Sequence, residues 1–380
     1  MKRKTKHFPV ARQEITPSDV RAVVGAVTSH SLSDGPLCRK FEALFAKKIG
    51  TRYAAAVTNG TAGLHLALLA AGVGPGDEVI TSPFSFIASA NAIVYTGARP
   101  AFCDIDLKTL NIDPAKIEEK ITPKTKAILA VHIFHQVAEM DKIMAVARKH
   151  KLVVIEDACE VVGASYRGKP AGSFGQSAVF GFFPNKQITS GEGGMIVTNN
   201  TEVYETICSL RNQGKTQPGS KFEYDCVGYN YRMNEMSAAL GISQFGRIDT
   251  ILKRRNRIAK TYSTYLDQVS SHIAVPTVLS GSVPSWFAYA IRIINPAIDR
   301  QELMQCLARE GIDCRPRFPS IHLQKEYQDR FGYKTGDFPN CESASRTCLT
   351  LPFYLGLADA DIKQISKVFV GMVGILADKK

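Results

Sequence analysis

The stretch Ala178-Val-Phe-Gly-Phe-Phe-Pro-Asn-Lys-Gln-Ile-Thr-Ser-Gly-Glu-Gly-Gly-Met-Ile-Val197 decides how this chain is read. Two apolar, β-like runs, Ala178–Phe183 and Met195–Val197, bracket one lysine, Lys186, and a glycine-rich turn, Gly191–Gly194. Lys186 is therefore expected to be buried, and a buried ammonium is costly unless it is paired, deprotonated or used covalently. Upstream, another apolar run, Leu152–Asp157, ends on a carboxylate. A lysine in a dry, glycine-lined turn near a strand-ending acid suggests a Schiff base to pyridoxal phosphate (PLP). A lone lysine is ordinarily a solvated surface residue, so the reading depends on what surrounds it.

Outward from this stretch the pattern alternates. Short β-like runs fall at Tyr53–Val57, Val79–Ser82, Arg99–Ile105, Ala127–Val131, Leu152–Asp157, Ala178–Phe183 and Met195–Thr198. Helical segments such as Leu64–Ala71, Ile87–Tyr95 and Met140–His150 lie between many of them. Apolar strands alternating with helices predict an α/β large lobe, a mostly parallel, seven-stranded sheet covered by helices. Such sheets bind ligands at the strands' carboxyl ends, where Gly60, Asp157 and Lys186 would cluster.

Before the sheet, Thr16-Pro-Ser-Asp19 reads as a helix start, with Val20, Val23, Val24 and Val27 at helical spacing behind it. A second amphipathic stretch, Phe41–Ala46, ends at Gly50. After Asn234 one long helix is expected through Met236, Leu240, Ile242 and Phe245 into the basic Lys253–Arg257 region. It would carry the chain into a smaller α+β lobe with a strand at Trp286–Arg292, a helix near Arg300–Glu310 and a loop from Arg315 to Phe338. The expected division is a large domain over 1–248 and a small one over 249–380.

With 380 residues the chain exceeds one ordinary core, and 45% hydrophobic content fits a globular protein. No apolar stretch is long enough to cross a bilayer. The basic start, Met1–Lys6, does not lead into a signal-peptide core, so the expected address is the cytoplasm. Nine cysteines without a C-x-x-C pair argue against a disulfide framework and against a metal site. The net charge of +12 comes from short, separated basic groups without an aromatic-interleaved stripe. That sign suits an anionic small substrate better than nucleic acid.

Three segments carry the chemistry. Thr58-Asn-Gly-Thr-Ala-Gly63 joins a strand to a helix, and its free backbone N–H groups suit a phosphate, although ordinary turns look alike. Asp157 could bond a pyridine nitrogen, or merely cap the next helix. Phe86, in Ser82–Asn91, could stack on a cofactor ring or pack in the core.

Taken in order, these segments resemble the DegT/StrS family of nucleotide-sugar aminotransferases, fold-type-I PLP enzymes. The match covers nearly the whole chain: Arg12–Ile15, Leu32–Pro36, Asn59–Ala62, Gly74–Ile80, Ile155–Ala158, Gly172–Gly175, Phe183–Gln187, Gly191–Gly194, Gly228–Arg232, Ser285–Phe287 and Leu351–Pro352. The resemblance implies an amino-acid donor, L-glutamate, a nucleotide-linked keto-sugar acceptor, and ping-pong half reactions through a Lys186 internal aldimine. It implies that Asp157 binds the pyridine nitrogen, that Phe86 stacks on the ring, and that Gly60, Thr61 and Ala62 hold the phosphate. It further implies a homodimer with shared sites, in which Asn230 and Arg232 reach the neighbour's phosphate and Arg232 is also a candidate for the substrate, and a loop carrying His322 on the sugar side, where a surface or interlobe histidine is an equal reading.

Three positions depart from the family pattern. Glu160 stands where many members have glutamine near the phenolic oxygen, Gly181 where a serine often binds phosphate, and His135 where glycine is usual. Three rival readings stand beside this one. A PLP-dependent sugar dehydratase would carry histidine in place of Lys186. A cyclitol-ketone aminotransferase would need no nucleotide handle, and a regulator could keep the fold without the chemistry.

Overall fold

The computed structural model describes residues 6–215 and 223–378. Seven strands form the main sheet: β1 (Tyr53–Val57), β2 (Glu78–Thr81), β3 (Arg99–Phe102), β4 (Thr125–Val131), β5 (Val153–Asp157), β6 (Ser177–Gly181) and β7 (Gly194–Thr198). Their spatial order is β1-β7-β6-β5-β4-β2-β3. Only the β7 pairings, to β1 and β6, are antiparallel. The remaining neighbours run parallel. The expected α/β class and seven-stranded sheet are what the chain adopts.

The apolar strand runs are nearly continuous because both faces are covered. Ala54, Ile128, Ala130, Val154, Phe180 and Met195 enter one core. Their immediate neighbours Ala55, Ala127, Leu129, Ile155, Val179 and Ile196 enter another on the opposite face. Successive side chains of a strand point to opposite sides, so an unbroken apolar run feeds two cores at once. A third core gathers Phe8, the later part of helix Ile248–Leu266, and most of the chain beyond it, including Tyr289, Leu349 and Phe369. There Ile273–Ala274, Ala290–Ile293, Cys348–Thr350 and Arg315–Pro316 form a four-stranded sheet in that spatial order.

Several expectations are corrected. The long helix after Asn234 is two helices, Glu235–Phe245 and Ile248–Leu266, broken at Gly246 and Arg247. The strand expected at Trp286–Arg292 is confined to Ala290–Ile293. Trp286 has a φ of 51°, and the Ser285 and Phe287 amides instead donate to the His135 and Phe134 carbonyls. The Arg315–Phe338 loop contains a short helix, Lys325–Phe331. The first helix, Pro17–Val27, forms as expected, but its valines do not anchor it: Val20, Val24 and Val27 are each more than half exposed. Its buried anchor is Asp19, which accepts from Ser243 Oγ (2.6 Å), Gln244 Nε2 (3.0 Å) and Arg247 Nη2 (2.7 Å).

Candidate active site

Six strands run the same way and end at one edge of the sheet, β1 among them because it and β6 are both antiparallel to β7, and β7 begins there. The loops leaving that edge enclose a cavity of about 820 Å³, lined by Gly60, Thr61, Ala62, Phe86, Asp157, Glu160, Gly181 and Lys186, among others. Eight residues separated by up to 126 positions in sequence thus meet at the carboxyl ends, as the topology requires.

The helix Gly60–Ala70 points its start into this cavity. Asn59 caps it, accepting the Ala62 N–H at 2.8 Å. That bond occupies the Ala62 amide and leaves those of Gly60 and Thr61 without an acceptor among the described residues. Gly60 is required by contact: a Cβ there would lie 2.9 Å from Cys159 Sγ. Gly181 faces the same thiol, with an added Cβ 3.4 Å from Sγ, and its Cα would be 3.5 Å from a Cβ on Gly60. Cys159 thus limits the space at both glycines, and its sequence context carries no signal of that contact.

Asp157 ends β5 and is only 5% exposed. Its Oδ2 accepts from Ser89 Oγ at 2.7 Å and its Oδ1 from the Cys159 amide at 3.2 Å. Because the Ser89 proton is committed to the carboxylate, the 2.8 Å contact between Ser85 and Ser89 has Ser85 as its donor. A two-hydroxyl relay therefore orients Asp157.

Lys186 follows β6 on a turn in which its amide donates to the Phe183 carbonyl. Its side chain is 14% exposed, and Nζ stands 3.4 Å from Glu160 Oε1. The ammonium also lies 4.2 Å from the Phe287 ring centroid, where the aromatic face favours a cation. Glu160 is held from the other side by the Phe134 amide, which donates to Oε2 at 2.8 Å. Gln187 Nε2 ties the same turn down through the Glu160 carbonyl (2.6 Å) and Ser285 Oγ (2.9 Å).

Phe86 is 61% exposed at the cavity wall. Of the residues expected to act across a subunit boundary, Asn230 is exposed and Arg232 donates to Asn212 Oδ1 at 2.8 Å; neither lines this cavity. His322 does not line it either. It is fully buried, 3.2 Å from Glu342 Oε1 and edge-on to Phe338, and burial lowers its pKa against the pull of Glu342. His135 also lies outside the cavity lining: it stacks on Trp286 at 4.6 Å and approaches the Thr277 carbonyl with Nε2 at 3.1 Å. Burial pulls its pKa down to about 4, so it stays neutral, with Nε2 carrying the proton donated to that carbonyl.

The loop carrying Glu160's partner Phe134 rests on a buried pair. Glu156 accepts the amides of Gly172 (2.8 Å), Phe174 (2.7 Å) and Gly175 (2.8 Å). His132 Nδ1 accepts the Ala138 amide, so its Nε2 bears the proton given to Glu156 at 3.0 Å. Sequence reading also missed Tyr95, Tyr231, Arg315 and Arg317 in the cavity wall. Arg315 and Arg317 sit in the proline-rich loop, whose composition carries no periodic signal.

Among described residues no helix is long and apolar enough to cross a membrane, and no cluster could hold a metal ion. GDP-perosamine synthase from Caulobacter vibrioides is 42% identical over 335 residues, covering 88% of this chain and 89% of that protein. Among solved structures, S. venezuelae DesV in complex with a ketimine intermediate superposes with a TM-score of 0.92 at 32% identity, covering 97% of this chain and 99% of that one. The putative sugar aminotransferase Spr1654 from Streptococcus pneumoniae gives a TM-score of 0.92 at 25% identity in both PLP and PMP forms, covering 98% of this chain and 100% and 98% of those chains. A family model matches residues 13–370, and the chain belongs to the DegT/DnrJ/EryC1/StrS aminotransferase family.

Proposed function

We propose that this chain moves an amino group from an amino acid, L-glutamate, to the ketone of a nucleotide-linked sugar, with PLP as cofactor and a homodimer as the working unit. The observation that carries the reading is Lys186 Nζ, nearly buried in one cavity with Asp157 and the start of helix Gly60–Ala70. Relatives named GDP-perosamine synthase favour guanosine diphosphate as the handle.

The residues present fit the cofactor. The unused Gly60 and Thr61 amides at a helix start suit its phosphate. An added Cβ at Gly60 would fill the close approach to Cys159. Asp157, oriented by Ser89, suits a protonated ring nitrogen, and exposed Phe86 suits the ring face. When bound, PLP supplies an aldehyde carbon for amines and a ring that accepts the electron pair freed at the reacting carbon.

The chain's own groups do the rest. Lys186 would hold the cofactor through Nζ, and the same nitrogen would take the proton from the donor's α-carbon and hold it for return to the reacting group. Glu160 keeps that nitrogen in place while its second oxygen stays on the Phe134 amide. The Phe287 ring closes one side against water. Asn230 and Arg232 of a second copy would complete the phosphate cradle. Exposed Tyr224 and Val227, the latter 90% exposed, lie just before them and give that loop an apolar surface for the second copy to cover.

The test is to load the protein with pyridoxamine phosphate and offer a panel of nucleotide-linked keto-sugars. One of them should restore the PLP absorbance, and Lys186→Ala should abolish turnover. Failure of a nucleoside diphosphate to compete for substrate would favour the cyclitol ketone instead. A cofactor spectrum unmoved by every amino donor would favour the regulator.

A further inference from the structure

Arg317 is a mostly buried cation whose charge no carboxylate of the described chain pairs by a salt bridge. Its Nε is buried without a hydrogen-bond partner. The rings of Phe287 and Phe318 lie near it, with Cζ 5.5 and 5.3 Å from their centroids, within reach of a cation–π contact. Burial lowers its pKa, and the charge of Glu160 works against that. A desolvated guanidinium without a paired anion is costly, and a ligand that brings the anion recovers that cost.

The position says which ligand. Arg317 lines the Lys186 cavity. Lys186 Nζ is 4.2 Å and Arg317 Cζ 5.5 Å from the same Phe287 centroid, so the two are at most about 10 Å apart. An amino acid reacting at Lys186 carries its α-carboxylate two bonds from the transferred nitrogen. The planar fork of arginine matches a carboxylate in two parallel hydrogen bonds. A sugar's diphosphate, on C1, would stand two or three ring carbons away from a C3 or C4 ketone. Arg317 also borders an adjoining cavity of about 490 Å³ that could take such a handle, so an oxyanion of either source has a route to it.

We propose that Arg317 is the residue that binds the α-carboxylate of the amino donor. The assignment rests on the aminotransferase reading above, and it divides the two half reactions: Arg317 serves the donor and not the sugar.

The experiment follows each half reaction separately in PLP-loaded and pyridoxamine-phosphate-loaded protein. With wild type, L-glutamate should convert the PLP absorbance. Arg317→Gln should raise the glutamate concentration needed by at least about 30-fold, with Arg317→Lys in between, since charge remains and the fork is lost. The rate with the keto-sugar should stay within about twofold. Calorimetry supplies a readout without turnover: glutarate should bind wild type and fail to bind Arg317→Gln, while guanosine diphosphate binds both alike. If Arg317→Gln or Arg317→Lys reacts with glutamate as wild type does, the assignment is overturned. It is equally overturned if the sugar arm and diphosphate binding weaken instead. Wild type that no amino donor converts would sink the aminotransferase reading itself, which is a separate result.

Discussion

Glu160 divides its two oxygens between Lys186 and the backbone: Oε1 stands 3.4 Å from Lys186 Nζ while Oε2 accepts the Phe134 amide at 2.8 Å. The turn carrying Lys186 and the loop after β4 are thus coupled through one side chain. Glutamine would keep the size and the amide acceptor but lose the charge. Alanine would leave a buried N–H and an ammonium without partners. Glu160→Ala is expected to cost about 1–3 kcal/mol in urea unfolding of cofactor-free protein, and Glu160→Gln clearly less. Equal losses would mean that the charge, rather than the amide bond, carries the effect.

The second prediction concerns Gly60. Gly60→Ala would put a Cβ 2.9 Å from Cys159 Sγ, and the crowding is expected to cost about 1–3 kcal/mol and to weaken PLP binding. Cys159→Ala removes the clashing atom. The double variant should therefore recover most of the loss, a non-additivity that a double-mutant cycle reads directly. Simple addition of the two single effects would show that the space at Gly60 is set elsewhere.

Acid stability gives the third. Burial pushes the Glu235 carboxyl up, but bonds from the Cys38, Leu37 and Gly35 segment outweigh it and hold its pKa below the ordinary glutamate value. Those bonds cap the helix Pro36–Ile49, with the Gly35, Leu37 and Cys38 amides at 2.8–3.0 Å. Asp19 behaves alike: burial raises it, and Ser243, Thr16 and Arg247 bring it down below the ordinary aspartate value. A carboxylate with a depressed folded pKa stabilises the fold fully above its unfolded pKa, and the contribution fades as pH falls through the folded one. Stability should therefore drop from about pH 4.5 downward. Glu235→Gln should be less stable at pH 7 and lose less on acidification. Parallel stability curves for the two proteins would contradict this.

Much of this was legible in the sequence, and for a physical reason. The central strands of the main sheet are apolar on both faces, so the runs at Tyr53–Val57, Leu152–Asp157 and Ala178–Phe183 announce themselves, and the helix at Met140–His150 has the expected bounds. Lys186, Asp157, Glu160, Gly60, Thr61, Ala62, Phe86 and Gly181 share one cavity because parallel strands deliver their carboxyl ends to one edge. What stayed hidden depends on tertiary partners. The valines of helix Pro17–Val27 look like core but are exposed, since Asp19 does the anchoring. Trp286 leaves the strand because its neighbours bond to the loop at Phe134 and His135. Arg317 looks like a surface residue in a proline-rich loop, and only the tertiary contacts bring it against the Phe287 ring.

The most direct test is chemical trapping. The protein is incubated with PLP, reduced with borohydride, digested and mapped by mass spectrometry. The account predicts one phosphopyridoxyl group per chain on Lys186, and none on the protein after Lys186→Ala. An unlabelled Lys186, or a label on another lysine at the same stoichiometry, would contradict it.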